Sequence, residues 1–165
     1  PRKPSGILVL PHFAGAATPY MDSAAKAAFA GITLETTKYD IYRALMEGTS
    51  YEMRVNLERM ESVSGNVNEI RATGGGAASD IWLQIKADIL GKAVTALNAP
   101  QVGAAGTAAL AGVTLGIYSD IETAADKMSP VRRVFYPNPE NAEIYSGYYK
   151  KYAGFYSAIK GLGGI

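Results

Sequence analysis

The residues with the clearest chemical potential are three consecutive glycines, Gly74-Gly75-Gly76, followed by Ala77, Ala78 and Ser79. Three glycines remove every β-carbon from a turn, so a ligand can lie directly on the backbone. Ser79 or Asp80 can cap a helix starting just beyond, and the free N–H groups of its first turn favour phosphate. No Lys-Ser/Thr pair follows the glycines, so this is not a P-loop, and their spacing is not that of a dinucleotide fingerprint. Taken alone, the run admits either a tight strand-to-helix connection or a ligand cradle. A second run, Gly103-Ala104-Ala105-Gly106-Thr107-Ala108-Ala109, opens a helix after Pro100 with a face that another helix could approach closely. Packing within the domain and a hinge against a second domain both fit. A hinge would leave part of that face exposed as an apolar patch able to drive self-association, so a homodimer is one expected assembly.

Other reactive types are less suggestive. Tyr145, Tyr148, Tyr149, Tyr152 and Tyr156 fall at helical spacings, as expected of a helix docking its rings on a core rather than stacking on single-stranded nucleic acid. His12 is the one histidine and has no cysteine or second histidine to share a metal, so a capping or packing role is expected. Asp22, Asp40, Glu47, Glu52 and Asp88 form no evident acid/base pair and read mostly as solvated faces or caps. No catalytic residue and no metal ligand is assigned from the chain.

The rest of the composition narrows the class. Charged residues make up 19% and the net charge is +1, which draws the chain to neither nucleic acid nor an anionic membrane. Arg132-Arg133 and Lys150-Lys151 are too short to be basic patches and read as solvated faces. The absence of cysteine suits a cytoplasmic protein. No apolar run approaches the roughly 20 residues of a membrane span. The opening Pro1-Arg2-Lys3-Pro4 has neither a start methionine nor the apolar stretch of a signal peptide, so a piece of something longer is expected.

Elements able to position these residues can be read along all 165 residues, long enough for one domain with a proper core. Residues 6–10 form an apolar strand closed by Pro11, 12–26 a loop, and 28–33 a second short strand. Thr37 and Asp40 have capping-box spacing ahead of a long helix, with Ile41, Leu45, Tyr51, Val55 and Met60 near helical period, ending at Ser64-Gly65. A strand over 69–73 runs into the glycines. The next helix carries Ile81, Trp82, Ile85, Ile89 and Leu90 and stops at Gly91. A brief strand at 93–95, a helix over 102–116, another from Ser119 or Asp120 to Met128, an extended 131–136 and a helix from Asn138 to about Lys160 complete the chain. Only the Gly161-Leu162-Gly163-Gly164 tail looks frayed. Alternating strands and helices make this an α/β domain.

Three ordered motifs resemble the C-terminal domain of the FGGY carbohydrate kinases. They are Ala27-x-Phe29-x-Gly31-Ile32 with Asp40-Ile41-x-x-Ala44-Leu45-Met46-Glu47, then Ile70 to Ala77 with Trp82-x-Gln84-Ile85-x-Ala87-Asp88-Ile89-Leu90-Gly91, then Gly106 to Ala111. The Tyr-rich helix after Pro137-Asn138-Pro139 also fits, and the likeness covers essentially the whole chain, most like the xylulokinase branch. One loop departs: many members carry Gly-Glu-Arg-Thr-Pro where this chain has Gly15-Ala16-Ala17-Thr18-Pro19.

The resemblance implies an actin-like (ribonuclease-H-like) ATPase fold, one half of a two-domain kinase. Residues 1–165 would be the nucleotide-binding C-terminal domain, its partner an N-terminal sugar-binding domain that supplies the catalytic base. It implies ATP and Mg²⁺, the ion held mainly through the phosphates, and transfer of the γ-phosphate to a small ketose or polyol, D-xylulose first. Glycerol, ribulose or gluconate are the alternative acceptors, and a non-catalytic nucleotide-sensing module is the alternative class. Carried over by position, Gly75 and Gly76 should face the ribose and α-phosphate and Ser79 the adenine. Gly74 and Ala77 would support the turn, and the face around Gly106 would meet the interdomain helix. This part alone should be inactive.

Overall fold

The computed structural model describes residues 3–99 and 101–162; Pro1, Arg2, Pro100 and the Gly163-Gly164 part of the tail, on which expectations were placed, lie outside them. The chain divides into two compact units. The first comprises residues 1–68, 85–92 and 137–165, and the second residues 69–84 and 93–136.

In the first unit, β1 (Leu8–Leu10) pairs antiparallel with β2 (Ala28–Ala30), Val9 opposite Phe29. The second strand is shorter than expected because Gly31, at φ +95°, turns the chain out of the extended region. Helix α1 (Lys38–Ser64) starts with a complete capping box: Thr37 accepts from the Asp40 N–H, and Asp40 accepts from the Thr37 N–H at 2.9 Å. It ends at Gly65, φ +82°. Helix α5 (Pro139–Gly161) is capped by Asn138, which accepts from the Asn141 N–H at 3.0 Å.

The face that α1 buries is the expected stripe only in part. Tyr51 is buried and Ile41, Leu45 and Val55 pack half-buried against the core, but Met60 is 60% exposed, and Ala44, Glu47, Gly48, Ser50 and Leu57 also lie inside. Two contacts explain this. At Gly48 the helix passes so close to β1 that a β-carbon would sit 2.5 Å from the Val9 carbonyl oxygen. Along the same helix, α5 brings in phenols that need acceptors. Tyr145 donates to Glu47 at 2.9 Å, Tyr149 to Glu58 at 2.7 Å and Tyr152 to Glu52 at 2.6 Å, while Tyr156 donates to Asp22 at 2.6 Å. Buried phenols are stable only with such partners. These four rings join Leu10, Ala16, Tyr51, Ile85 and Ile89 in one core, as expected for a docking helix.

Glu47 and Asp88 are therefore not solvated. Glu47 is 1% exposed and also accepts from the Ser5 N–H and Arg43 Nε, the latter at 2.8 Å. Asp88 accepts from the Asn138 N–H and Asn141 Nδ2 at the start of α5. Asp40 is the cap that was expected. His12 is buried edge-on between Tyr20 and Tyr156, with Glu52 4.0 Å away, which is the packing role expected of it. In the loop that departs from the family pattern, Ala16 is buried and exchanges backbone hydrogen bonds with Asp22, whereas Ala17 is exposed.

The second unit holds a three-stranded sheet in the order β3 (Ile70–Ala72), β4 (Val94–Leu97), β5 (Val131–Phe135). The β3–β4 pair is parallel and β4–β5 antiparallel. Helix α2 (Asp80–Leu90) leaves the sheet after β3, and the boundary between the units falls within it, after Gln84. Leu83, Ile85 and Ile89 are buried as its period suggests, but Ile81 is 66% exposed. Helices α3 (Val102–Thr114) and α4 (Ile121–Met128) pack on each other, and Asp120 caps α4 by accepting from the Thr123 N–H at 2.7 Å.

Candidate functional site

β3 delivers the chain to the glycines through Thr73. Gly74 has φ +74°, a conformation that L side chains rarely adopt, and it reverses the chain. Residues 75–78 then form a single 3-10 turn, closed by the Ala77 N–H donating to the Gly74 carbonyl at 3.0 Å. Ala77 is 6% exposed and anchors the turn. Ser79 is extended and serves as N-cap: its hydroxyl accepts from the Trp82 N–H at 3.3 Å and its carbonyl from the Leu83 N–H at 3.0 Å. That hydroxyl keeps its own hydrogen to donate. Gly74, Gly75, Gly76, Ala77 and Ser79 are thus brought together on one continuous turn.

The turn is open to the outside. A β-carbon on Gly74 or Gly75 would find nothing within 4 Å. Gly74 is glycine because of its φ. Gly75 has no left-handed φ and no neighbour to accommodate, so neither strain nor packing within the protein asks for glycine there. A bare backbone facing free space at the start of a helix suits a ligand that lies against it.

Beside the turn sits a charge cluster that the sequence reading missed. Arg132 Nη2 lies 2.8 Å from Asp80 Oδ1, and Arg133 Nη1 lies 3.0 Å from Asp80 Oδ2. Arg132 Nη2 also donates to the Ala77 carbonyl at 3.0 Å. The hydrogen bond from Arg132 is the main reason the Asp80 carboxyl is held below its usual range, against the opposing effect of burial and with the charges of Arg132 and Arg133 adding to it. The two arginines are therefore engaged, not merely solvated. Their partner is some fifty positions upstream, and no local periodicity connects them.

On α3, a β-carbon at Gly103 or Gly106 would likewise meet nothing within 4 Å, and both glycines are exposed. Only Ala109 and Gly112 of that helix are buried. Packing among the described residues does not account for the small face. Among the described residues no three or more His, Cys, Asp or Glu side chains cluster where they could hold a metal ion, and no helix is long and apolar enough to cross a membrane.

Comparison with known proteins gives this geometry a context. Residues 1–115 match the profile described as "FGGY family of carbohydrate kinases, C-terminal domain". The chain is 35% identical over 158 residues to a xylulose kinase of Staphylococcus epidermidis, covering 96% of this chain and 32% of that protein. It is 34% identical over 157 residues to a glycerol kinase of Escherichia coli O81, covering 94% and 30%. The crystal structure of xylulose kinase from Rhodospirillum rubrum superposes with a TM-score of 0.84 at 25% identity, covering 98% of this chain and 32% of that one. The chain thus spans about a third of the length of the curated relatives it matches.

Proposed function

Because the chain belongs to the FGGY family of carbohydrate kinases and has the actin-like fold of their C-terminal domains, we propose that it is the nucleotide-binding domain of a two-domain ATP-dependent kinase. The acceptor would be a hydroxyl of a small ketose or polyol, with D-xylulose the first to assay. Glycerol is the second, since a glycerol kinase is 34% identical to this chain where a xylulose kinase is 35%. The observation that carries the reading is the open glycine turn at the start of α2, where Gly75 is bare without any need internal to the protein.

In this reading the Gly75 and Gly76 backbone lies against the ribose and α-phosphate. Gly74 and Ala77 hold the shape of the turn, and the Ser79 hydroxyl offers its hydrogen towards the adenine. Mg²⁺ carried on the nucleotide phosphates would neutralise charge during transfer. Phosphoryl transfer depends on positioning and charge stabilisation more than on covalent chemistry, and the turn supplies positioning. The base belongs elsewhere: Glu47 and Asp88 are buried, and Glu52 accepts the Tyr152 hydroxyl. The exposed small face at Gly103 and Gly106 would receive the sugar-binding domain.

Calorimetric titration of MgATP into the chain and into Gly75→Val tests the reading, with a coupled assay on xylulose and glycerol beside it. The chain should bind nucleotide weakly and turn over neither acceptor, and the variant should melt normally yet bind at least about tenfold more weakly. A variant that binds as the parent does would make the turn merely structural.

A further inference from the structure

The register of β5 explains why two successive arginines reach one carboxylate. In a regular strand Arg132 and Arg133 would point to opposite faces. Here Ala96 pairs with Arg133 while Leu97 pairs with Val131, so Arg132 is the extra residue of a β-bulge. A bulge re-aims a side chain, and this one brings Arg132 to the same side as Arg133. Arg133 Nη1 reaches Asp80 Oδ2, and its guanidinium lies over the Phe135 ring. Arg132 goes further: its Nη2 bridges Asp80 Oδ1 and the carbonyl of Ala77, the one buried residue of the glycine turn. Asp80 opens α2 beside that turn, where an uncompensated carboxylate would repel phosphate.

We propose that Arg132, delivered by the β5 bulge, is a positioning residue for the nucleotide: it clamps the Ala77 carbonyl and neutralises Asp80, and so fixes the open shape of the Gly74–Ala77 turn. This rests on the reading of that turn as the nucleotide site. Arg132 touches no ligand itself. Its contribution is to hold the backbone where adenosine and its phosphates must lie. Because its side chain is 35% exposed and its partner Asp80 43%, the pair adds little to global stability, and its effect should show in binding.

The test uses Arg132→Met, Arg132→Lys and Arg133→Met, with Gly75→Val as reference, each titrated with MgADP and with adenosine below its melting temperature. Amide hydrogen exchange over residues 74–77 is followed in parallel. Arg132→Met should weaken adenosine about tenfold and MgADP by at least that factor, and speed exchange at Ala77. Arg132→Lys, which keeps the charge and a donor, should recover part of the loss. Arg133→Met should cost less than about threefold. If Gly75→Val abolishes binding while Arg132→Met binds like the parent, the positioning role is wrong and the site stands. Weakening of MgADP alone would also overturn it, since charge on the phosphates would then be the whole effect. A lowered melting point with unchanged affinity would reduce Arg132 to a structural residue. Should the parent fail to bind MgADP, or Gly75→Val bind as well as the parent, the nucleotide-site reading falls and takes this inference with it.

Discussion

Replacing Gly106 by leucine separates the two accounts of the small face on α3. In an exposed helix interior, glycine is about 1 kcal/mol less favourable than alanine, and leucine is close to alanine. Beyond its own helix turn nothing lies within 4 Å of the β-carbon position, and Gly106 is exposed, so a side chain can point to solvent without a clash to set against that gain. The net is a stabilisation of roughly 0.8 kcal/mol, which for a chain of this size raises the melting temperature by about 2–3 °C. If the face were ordinary core, overpacking would cost about 1–3 kcal/mol and the shift would be negative. Thermal melting followed by circular dichroism at 222 nm reads the sign directly. In a longer polypeptide that also carries the sugar-binding domain, the same substitution should lower turnover while leaving melting unharmed, because the added side chain obstructs closure. A fall of about 3 °C or more in the 165-residue chain would refute the reasoning.

Three further outcomes follow from the first unit. Gly48→Ala forces a β-carbon to within 2.5 Å of the Val9 carbonyl oxygen and 3.0 Å of Val9 Cβ, so the helix-propensity gain is overwhelmed and a net loss of about 1–3 kcal/mol is expected in denaturant titration. Gly147→Ala on α5, where the β-carbon would meet nothing, should instead gain a few tenths to 1 kcal/mol. The Asp22 carboxyl is held down to about 2, first by the Tyr156 hydroxyl and then by Lys160 and the Ala24 N–H. A depressed carboxylate stabilises the fold above its unfolded value near 3.9 and loses that contribution as pH falls through its folded value. The melting temperature should therefore drop between about pH 4 and 2, and Asp22→Asn should flatten the profile there.

Most elements were legible because their punctuation is local. Thr37, Gly65, Gly91, Asp120 and Asn138 each mark a helix end within a few residues of where it falls. The turn at Gly74–Gly76 was legible for the same reason. The buried face of α1 was legible only in part, because Gly48 answers to a strand 39 positions upstream and Glu47 to a phenol 98 positions downstream. An acid with a buried partner looks the same in sequence as one facing water. The Arg132–Ala77 contact was invisible too, since it depends on a bulge, a property of two paired strands and not of either alone.

The four phenol-to-carboxylate bonds between α5 and its surroundings carry information that burial does not. Apolar contact is largely indifferent to where along its axis one helix rests on another. The tyrosines are not indifferent: sliding α5 by half a turn, about 2.7 Å, would pull Tyr145, Tyr149, Tyr152 and Tyr156 from their acceptors at once. Each hydroxyl would then be stranded beside rings instead of an oxygen. The ladder works as an address, rejecting neighbouring alignments that grease alone would tolerate.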